Sequence, residues 1–259
     1  MDERQRRAFL DRDLHVSMKT VTMMEVDLSV ERLLDKFADS ITHIIHIGWL
    51  VDFNMGLSSY KANIQGLRNL IEFALASQAR LVRKQQCFQG AADDHPQAET
   101  HIDAAVAQGN GYGESKWVSE ELLRLAPGLR YLVVRVGQLS GDSNVIQSAP
   151  FLGCLPNEDN PVSWLPMHVA AQAIVDRIDI LSSIIHIVHP KPAQWFKLAQ
   201  VISKELNVEL VPYAQWFKSP EEPALDAAAL LAIRLLSYYK HNAEALLVRI
   251  PRHLDYPRF

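Results

Sequence analysis

Apolar residues recur along the chain in two alternating rhythms. Asn63–Ala76 (NIQGLRNLIEFALA) carries Ile64, Leu67, Leu70, Ile71 and Leu75 at helical intervals, the spacing that lines one face of a helix. Gly109–Leu123 (GNGYGESKWVSEELL) and Trp195–Leu206 show the same rhythm, and Ala224–Tyr239 is an Ala/Leu-rich helical stretch. Between them lie short β-branched runs: Thr42–Ile47 (THIIHI), Tyr131–Val136 (YLVVRV) and Ile184–Val188 (IIHIV). Runs of that kind predict strands of a buried parallel sheet. Val21–Leu28 (VTMMEVDL) predicts a further short strand, and Ser29 is a suitable N-cap for a helix to about Phe37. Ser163–Ile178 predicts a loop leading into a helix, and Glu209–Val211 a short strand. Asp2–Leu14 predicts a helix with a solvated charged face, and Pro220 and Pro223 with neighbouring acids predict a linker.

Arg80–Gln86 (RLVRKQQ) is predicted to be a strand from its place between two helical patterns, not from its composition. Two consecutive cations in a central strand are costly unless paired or exposed. Strands alternating with helices predict an α/β architecture with a parallel sheet.

Length and charge narrow the picture. A chain of 259 residues sits at the upper end of one core or divides into a large and a small domain. A net charge of −4 gives no electrostatic case for nucleic acid or an anionic membrane. Two cysteines, Cys87 and Cys154, make neither a disulfide framework nor a CxxC zinc site. The stretch MDERQRRAF lacks the apolar core of a secretory signal, and the longest apolar runs are too short to span a bilayer. The expectation is a cytoplasmic protein.

Candidate chemistry concentrates in Tyr112 and Lys116, one helical turn apart and therefore on one helix face. A free phenol titrates near ~10, and an adjacent ammonium is expected to lower that value. Such a pair suits protonation of a carbonyl oxygen as a nicotinamide delivers hydride. The apparent glycine loop Gly109–Gly113 follows no predicted strand, so it is not read as a phosphate loop. GQLSG is not a G-x-S-x-G nucleophile elbow. His43/His46 and His186/His189 are spaced by three, which on a strand sends the side chains to opposite faces. Shared metal ligation is not expected there.

THIIHIGWLVDFNMGLSSYKANIQGLRNLIEFAL, GYGESKWVSEELL, RVGQLSG and SWLPMHVAAQAIVD follow one another in this order. Together they resemble the thioester-reductase domains of carboxylic acid reductases and aminoadipate-reductase-like synthetases. These are extended short-chain dehydrogenases, also called male-sterility-type NAD-binding domains. PKPAQWFKLAQVI and ELVPYAQWF resemble that family's small C-terminal substrate domain, and the likeness runs from roughly Thr22 to Phe217.

The resemblance implies an incomplete Rossmann-type parallel sheet in residues 1–150. Residues 151–259 would hold the remaining strand and helix and a small C-terminal substrate domain, partly interleaved. It implies an NADP-dependent oxidoreductase of secondary metabolism that reduces acyl thioesters, or aldehydes, carried on a carrier protein. By the same resemblance Tyr112 and Lys116 are catalytic. Asp27 would contact an adenine edge, Gly48 would run its backbone against the cofactor, and Lys116 would hold a ribose hydroxyl. Arg135, Gly137 and Gln138 would face the nicotinamide from a strand end.

Several features depart from that family. No strand with a G-x-x-G-x-x-G turn precedes Val21, so two strands are expected to be absent, leaving unpaired backbone at the sheet edge. Arg83, Lys84, Gln85 and Gln86 occupy the strand end where the family carries a Ser or Thr that orients the carbonyl. The segment after Gly141 is short, and His168 replaces a family Asp. Plainer readings stand beside the functional ones. Asp27 is also a helix N-terminal acid, Gly48 also eases a turn, and Arg135 also suits a carboxylate partner. Trp49, Phe53 and Trp164 are read as core. Two other functions stay open: a cofactor-independent acyl-pocket protein (cyclase, isomerase or carrier-protein-binding module) and an inactive truncated relic. A homodimer would cover the exposed sheet edge.

Overall fold

The computed structural model describes residues 7, 19–31, 37–86, 98–140, 149, 153–157, 161–180 and 183–216. In chain order these form β1 (His43–His46), α1 (Lys61–Ser77), β2 (Arg80–Gln86), α2 (Gly111–Arg124), β3 (Tyr131–Val136), β4 (Leu139–Ser140) and β5 (Cys154–Asn157). There follow β6 (Pro161–Val162), β7 (Leu165–Pro166), α3 (Met167–Asp176), β8 (Ile184–Ile187), β9 (Ala193–Gln194), α4 (Trp195–Leu206), β10 (Glu209–Pro212) and α5 (Tyr213–Trp216). The central sheet runs β1-β2-β3-β8 with every pair parallel. Parallel neighbours need a crossover, and α1 and α2 supply the first two.

Strand alternation sorts the core into two layers. Val82, Leu132, Val134, Val136 and Ile185 pack with Leu165 and with Ala170 and Ile174 of α3. On the opposite face Leu81 and Val133, bordered by Ile44 and Ile184, meet Leu67, Ile71 and Ala74 of α1 and Leu123 of α2. Two residues further along each strand this second face changes character. Ile44 gives way to His46, Leu81 to Arg83 and Gln85, Val133 to Arg135, and Ile184 to His186. His46, Arg83, Gln85 and Arg135 are all buried. The sheet face under α1 and α2 is thus apolar in its first half and polar in its second.

Shorter ladders join the later elements: β5 with β10 and β4 with β7 in parallel, β6 with β9 antiparallel. Trp195 of α4 donates to the Pro156 carbonyl at 2.8 Å and meets Trp164 edge to face at 5.6 Å. Among the described residues no helix is long and apolar enough to cross a membrane.

The predicted elements correspond closely except near the sheet edge. Arg80–Gln86 is a strand despite its charges, and Trp195–Leu206 is a helix over the predicted span. Val21–Asp27 is not a strand; a strand requires a ladder, and no described strand pairs with this segment. Val21, Met23, Met24 and Val26 are exposed instead. Leu28 is where the segment meets the core, its carbonyl accepting from Asn69 at 2.8 Å and its side chain lying over Gly66. β1 is shorter than Thr42–Ile47 and lies at an edge of the four strands, so Ile45 and Ile47 stay 42% and 56% exposed rather than buried. The helix predicted from Ser29 begins as a turn, and residues 32–36 lie outside the described residues. So do the predicted linker at Pro220–Pro223, the helix at Ala224–Tyr239 and, apart from Arg7, the helix at Asp2–Leu14.

Leu67 is fully buried between α1 and the sheet, whereas Leu125 is 64% exposed. Leu67→Ala is expected to lower the unfolding free energy by about 2–5 kcal/mol. Leu125→Ala should change it by about 0.5 kcal/mol or less. Urea unfolding of the two variants measures the contrast.

Candidate active site

The site is built from the first turns of α2. Asn110 stands outside the helix at φ −154° and its side-chain oxygen accepts from the Gly113 amide at 2.7 Å, capping the helix start. Position 111 must be glycine, because a Cβ there would lie inside the backbone of Met55, Gly56 and Leu57. That close approach sets Tyr112 against Phe53 (ring centroids 5.0 Å) and Tyr60 (6.3 Å), both edge to face. The Tyr60 hydroxyl in turn donates to the Asp52 carbonyl.

Tyr112, Lys116 and Glu120 follow at four-residue spacing, and all three are buried. The Lys116 Nζ lies 4.8 Å from the centre of the Trp49 ring and 5.2 Å from that of Tyr112. Trp49 is tied down by its Nε1, which donates to Ser115 Oγ at 3.1 Å. The Arg83 guanidinium stacks on the same indole at 4.3 Å. Its Nη1 donates to the carbonyls of His46 (3.2 Å) and Lys84 (2.9 Å), while Nε and Nη2 are buried without a hydrogen-bond partner among the described residues.

Glu120 anchors the neighbouring charge. Arg135 donates to its two oxygens through Nε (3.0 Å) and Nη2 (2.7 Å), and Gln85 Nε2 adds a third bond at 3.1 Å. Gln85 Nε2 also reaches the Lys116 carbonyl at 2.7 Å, binding β2 to the middle of α2. Arg135 Nη2 further donates to the Thr100 carbonyl at 3.0 Å, and Nη1 lies 3.3 Å from His186 Nε2.

The electrostatics correct one sequence-based expectation. Tyr112 was expected to be acidified by Lys116; instead burial pushes its phenol up to about 12, with the Arg83 charge opposing that rise. Lys116 is itself pushed down to about 5, by burial first and then by repulsion from Arg83 and Lys84. The aromatic faces beneath Nζ favour its charged form by only ~0.5–2 kcal/mol, roughly one pH unit. They do not offset desolvation, so the amine is neutral near pH 7. His46 is held down to about 3 by burial, then by Arg83 and Lys116. Arg83, lowered to about 10 by burial, is the cation that remains beside the tyrosine.

The other residues singled out in the sequence are dispersed. Asp27 is exposed, its Oδ1 accepting from the Ser29 amide (2.9 Å) and hydroxyl (2.7 Å), bonds that hold its carboxyl below the usual range. Gly48 is exposed, with open space where a Cβ would stand. Gly137 is half-buried, its amide bonded to the Ile187 carbonyl at 2.9 Å; the exposed Gln138 accepts from the Leu165 amide at 2.8 Å. Arg135 is fully buried under α2 with Glu120, the plainer of its two readings. Arg83, Gln85, Glu120 and His46 belong to the cluster although the sequence reading gave them no role in it, and Trp49, read as core, covers it. The four-residue stripe Tyr112, Lys116, Glu120 was the available signal. Three polar residues on the face that must bury against the sheet require answers from it: Arg135 and Gln85 bond Glu120, while Tyr112 and Lys116 lie in the field of Arg83. Among the described residues no group of three His, Cys, Asp or Glu side chains could hold a metal ion.

With this geometry in hand, relatives are informative. Adenylate-forming reductase Nps10 of Heterobasidion annosum is 38% identical over 93% of this chain and 26% of its own length. The chain thus spans about a quarter of that relative. The terminal R domain from the myxalamid PKS-NRPS pathway superposes with a TM-score of 0.69 at 20% identity, over 98% of this chain and 69% of that one. A thiolation-reductase di-domain from an archaeal non-ribosomal peptide synthetase gives 0.64 at 16% identity, over 95% and 81%. These two likenesses show the fold, a Rossmann-type α/β domain with a parallel sheet. The family model described as Male sterility protein matches residues 4–189, and the chain belongs to that family of NAD-binding domains.

Proposed function

We propose that the chain is a reductase domain that converts an acyl thioester, presented on a carrier protein, to the aldehyde with NADPH as hydride donor. The observation that carries this reading is the buried Tyr112–Lys116 pair beside the C-terminal half of β2, under the Trp49 indole. The name of the Nps10 relative supports reduction, and the thiolation-reductase di-domain supports a carrier-borne substrate.

The residues suit the reactive end of a nicotinamide dinucleotide better than its phosphates. Tyr112, Lys116, the Trp49 ring and the open backbone at Gly48 offer donors, an aromatic wall and room near the strand ends. Among the described residues no glycine-rich turn between a strand and a helix offers a pyrophosphate cradle, and Asp27 is engaged by Ser29. A bound nicotinamide would supply the hydride to the carbonyl carbon.

The chain's own part is proton supply and orientation. Tyr112 at about 12 keeps its proton at neutral pH. It is therefore in the form that can donate a proton to an alkoxide forming beside it. Arg83 stabilises the phenolate left behind, since its charge already opposes the rise in the Tyr112 value. Lys116, as a neutral amine, adds no second cation beside Arg83 and acts as a hydrogen-bonding partner, since taking up a proton would create that cation. Collapse of the protonated hemithioacetal releases the thiol and leaves the aldehyde. Trp49, fixed by Ser115, excludes water and strengthens each of these interactions.

Tyr112→Phe is expected to reduce turnover of a carrier-bound thioester by about 10²–10⁴-fold, with NADPH affinity little changed. Full activity in that variant, or no saturable NADPH binding by fluorescence in the parent, would contradict the proposal.

The same protonation states set the pH dependence of stability. Unfolded lysine and histidine hold protons below ~10.4 and ~6.5, whereas folded Lys116 and His46 release theirs above about 5 and about 3. The unfolded state therefore binds more protons, and stability rises with pH from about 3 to 6.5 through His46 and from about 5 toward 10 through Lys116. Tyr112 acts oppositely, but only in the alkaline window from about 10 to about 12. The urea midpoint should climb between pH 6 and pH 8.5, by at most ~1.4 kcal/mol of stability per pH unit for each proton. Lys116→Met should flatten that climb; an unchanged slope would show that Lys116 is charged in the folded protein.

A further inference from the structure

Arg83 and Arg135 project from adjacent strands onto the same sheet face, each with zero solvent exposure. Arg135 offers Glu120 the edge formed by Nε and Nη2, and each of those nitrogens grips one carboxylate oxygen, at 3.0 and 2.7 Å. The same edge of Arg83, again Nε and Nη2, has no acceptor among the described residues. Two parallel N–H donors on one edge of a planar guanidinium match the two oxygens of a carboxylate.

No side chain of the cluster supplies that partner. Glu120 is shared between Arg135 and Gln85. Around Arg83 stand Trp49, Lys116, Tyr112 and His46, none of them an anion near pH 7; Glu120 acts on Arg83 through space, but its oxygens are bonded to Arg135 and Gln85. A buried guanidinium with Nε and Nη2 unused is costly, and a buried cation is normally found paired. We infer that the Nε–Nη2 edge of Arg83 is a binding site for the carboxylate of a small organic acid, with Lys116 as a further donor and Trp49 as its wall. Trp49, half-buried on the loop after β1 and held by a single bond to Ser115, is the part of this wall that reaches the surface. The fork fits two oxygens of a carboxylate or of a phosphate alike; the singly charged carboxylate is favoured because a phosphate dianion costs more to desolvate in a fully buried site.

The site stands or falls without the nicotinamide, so it is tested in its absence. Calorimetric titration of the full 259-residue chain with sodium propionate at pH 7 is expected to show saturable binding, with inorganic phosphate binding more weakly. A carboxylate beside Lys116 returns that amine toward its charged form, so binding should take up protons. Comparison of two buffers of different ionisation enthalpy reads this uptake. Arg83→Gln removes the charge and the fork and should lose roughly 30-fold or more in affinity. Removing an unpaired buried charge should also raise the thermal midpoint of the free variant, which separates loss of the site from loss of the fold. Arg83→Lys keeps the charge without the fork and should bind propionate more weakly than the parent. Absence of propionate binding in the parent, equal affinity in Arg83→Gln, or tighter binding of phosphate would each overturn the inference.

Discussion

The C-terminal half of the sheet face under α2 buries two guanidinium groups completely, and the state of Tyr112 and Lys116 follows from how each charge is answered. Arg135 meets Glu120 in a bidentate pair that Gln85 reinforces, and that triad ties β2 and β3 to the middle of α2. Among the described residues Arg83 meets two carbonyls and an indole face. Its charge, which Glu120 offsets only in part through space, therefore acts on the groups enclosed with it. It helps burial strip the proton from Lys116 and His46, and it draws the Tyr112 phenol part of the way back from the value burial alone would set.

This arrangement distinguishes position from protonation. A tyrosine and a lysine one turn apart are positioned by helix geometry, and the clamp of Gly111 on the Met55–Leu57 backbone fixes where that turn lies. Which of the two carries charge depends on the dielectric and on a third residue from β2. A strand residue thus controls the chemistry of a helix pair through the field it cannot lose to water.

Much of the architecture was legible in the sequence. The helical spacing of Trp195–Leu206 and the β-branched YLVVRV run each specify one element by local pattern, and both formed over the predicted residues. RLVRKQQ was identified as a strand only from its place in the alternation, because its buried cations are tolerated by partners distant in sequence: Trp49 for Arg83, with Gln85 bonded to Glu120. VTMMEVDL has strand composition but finds no ladder among the described strands, and pairing is not a property of the segment itself. The same limit applies to the site. The Tyr112–Lys116 spacing could be read directly, whereas the direction of their proton affinities could not, since it requires knowing that both are buried beside Arg83.

The central claim, that the enclosed half of this sheet face holds Lys116 as a neutral amine, is tested most directly by NMR titration of isotopically labelled lysine side chains in the folded protein. The account requires one lysine resonance, missing in Lys116→Met, that keeps its neutral-amine shift at pH 7 and begins to protonate only near about 5. A Lys116 resonance that titrates with the surface lysines near ~10 would contradict it.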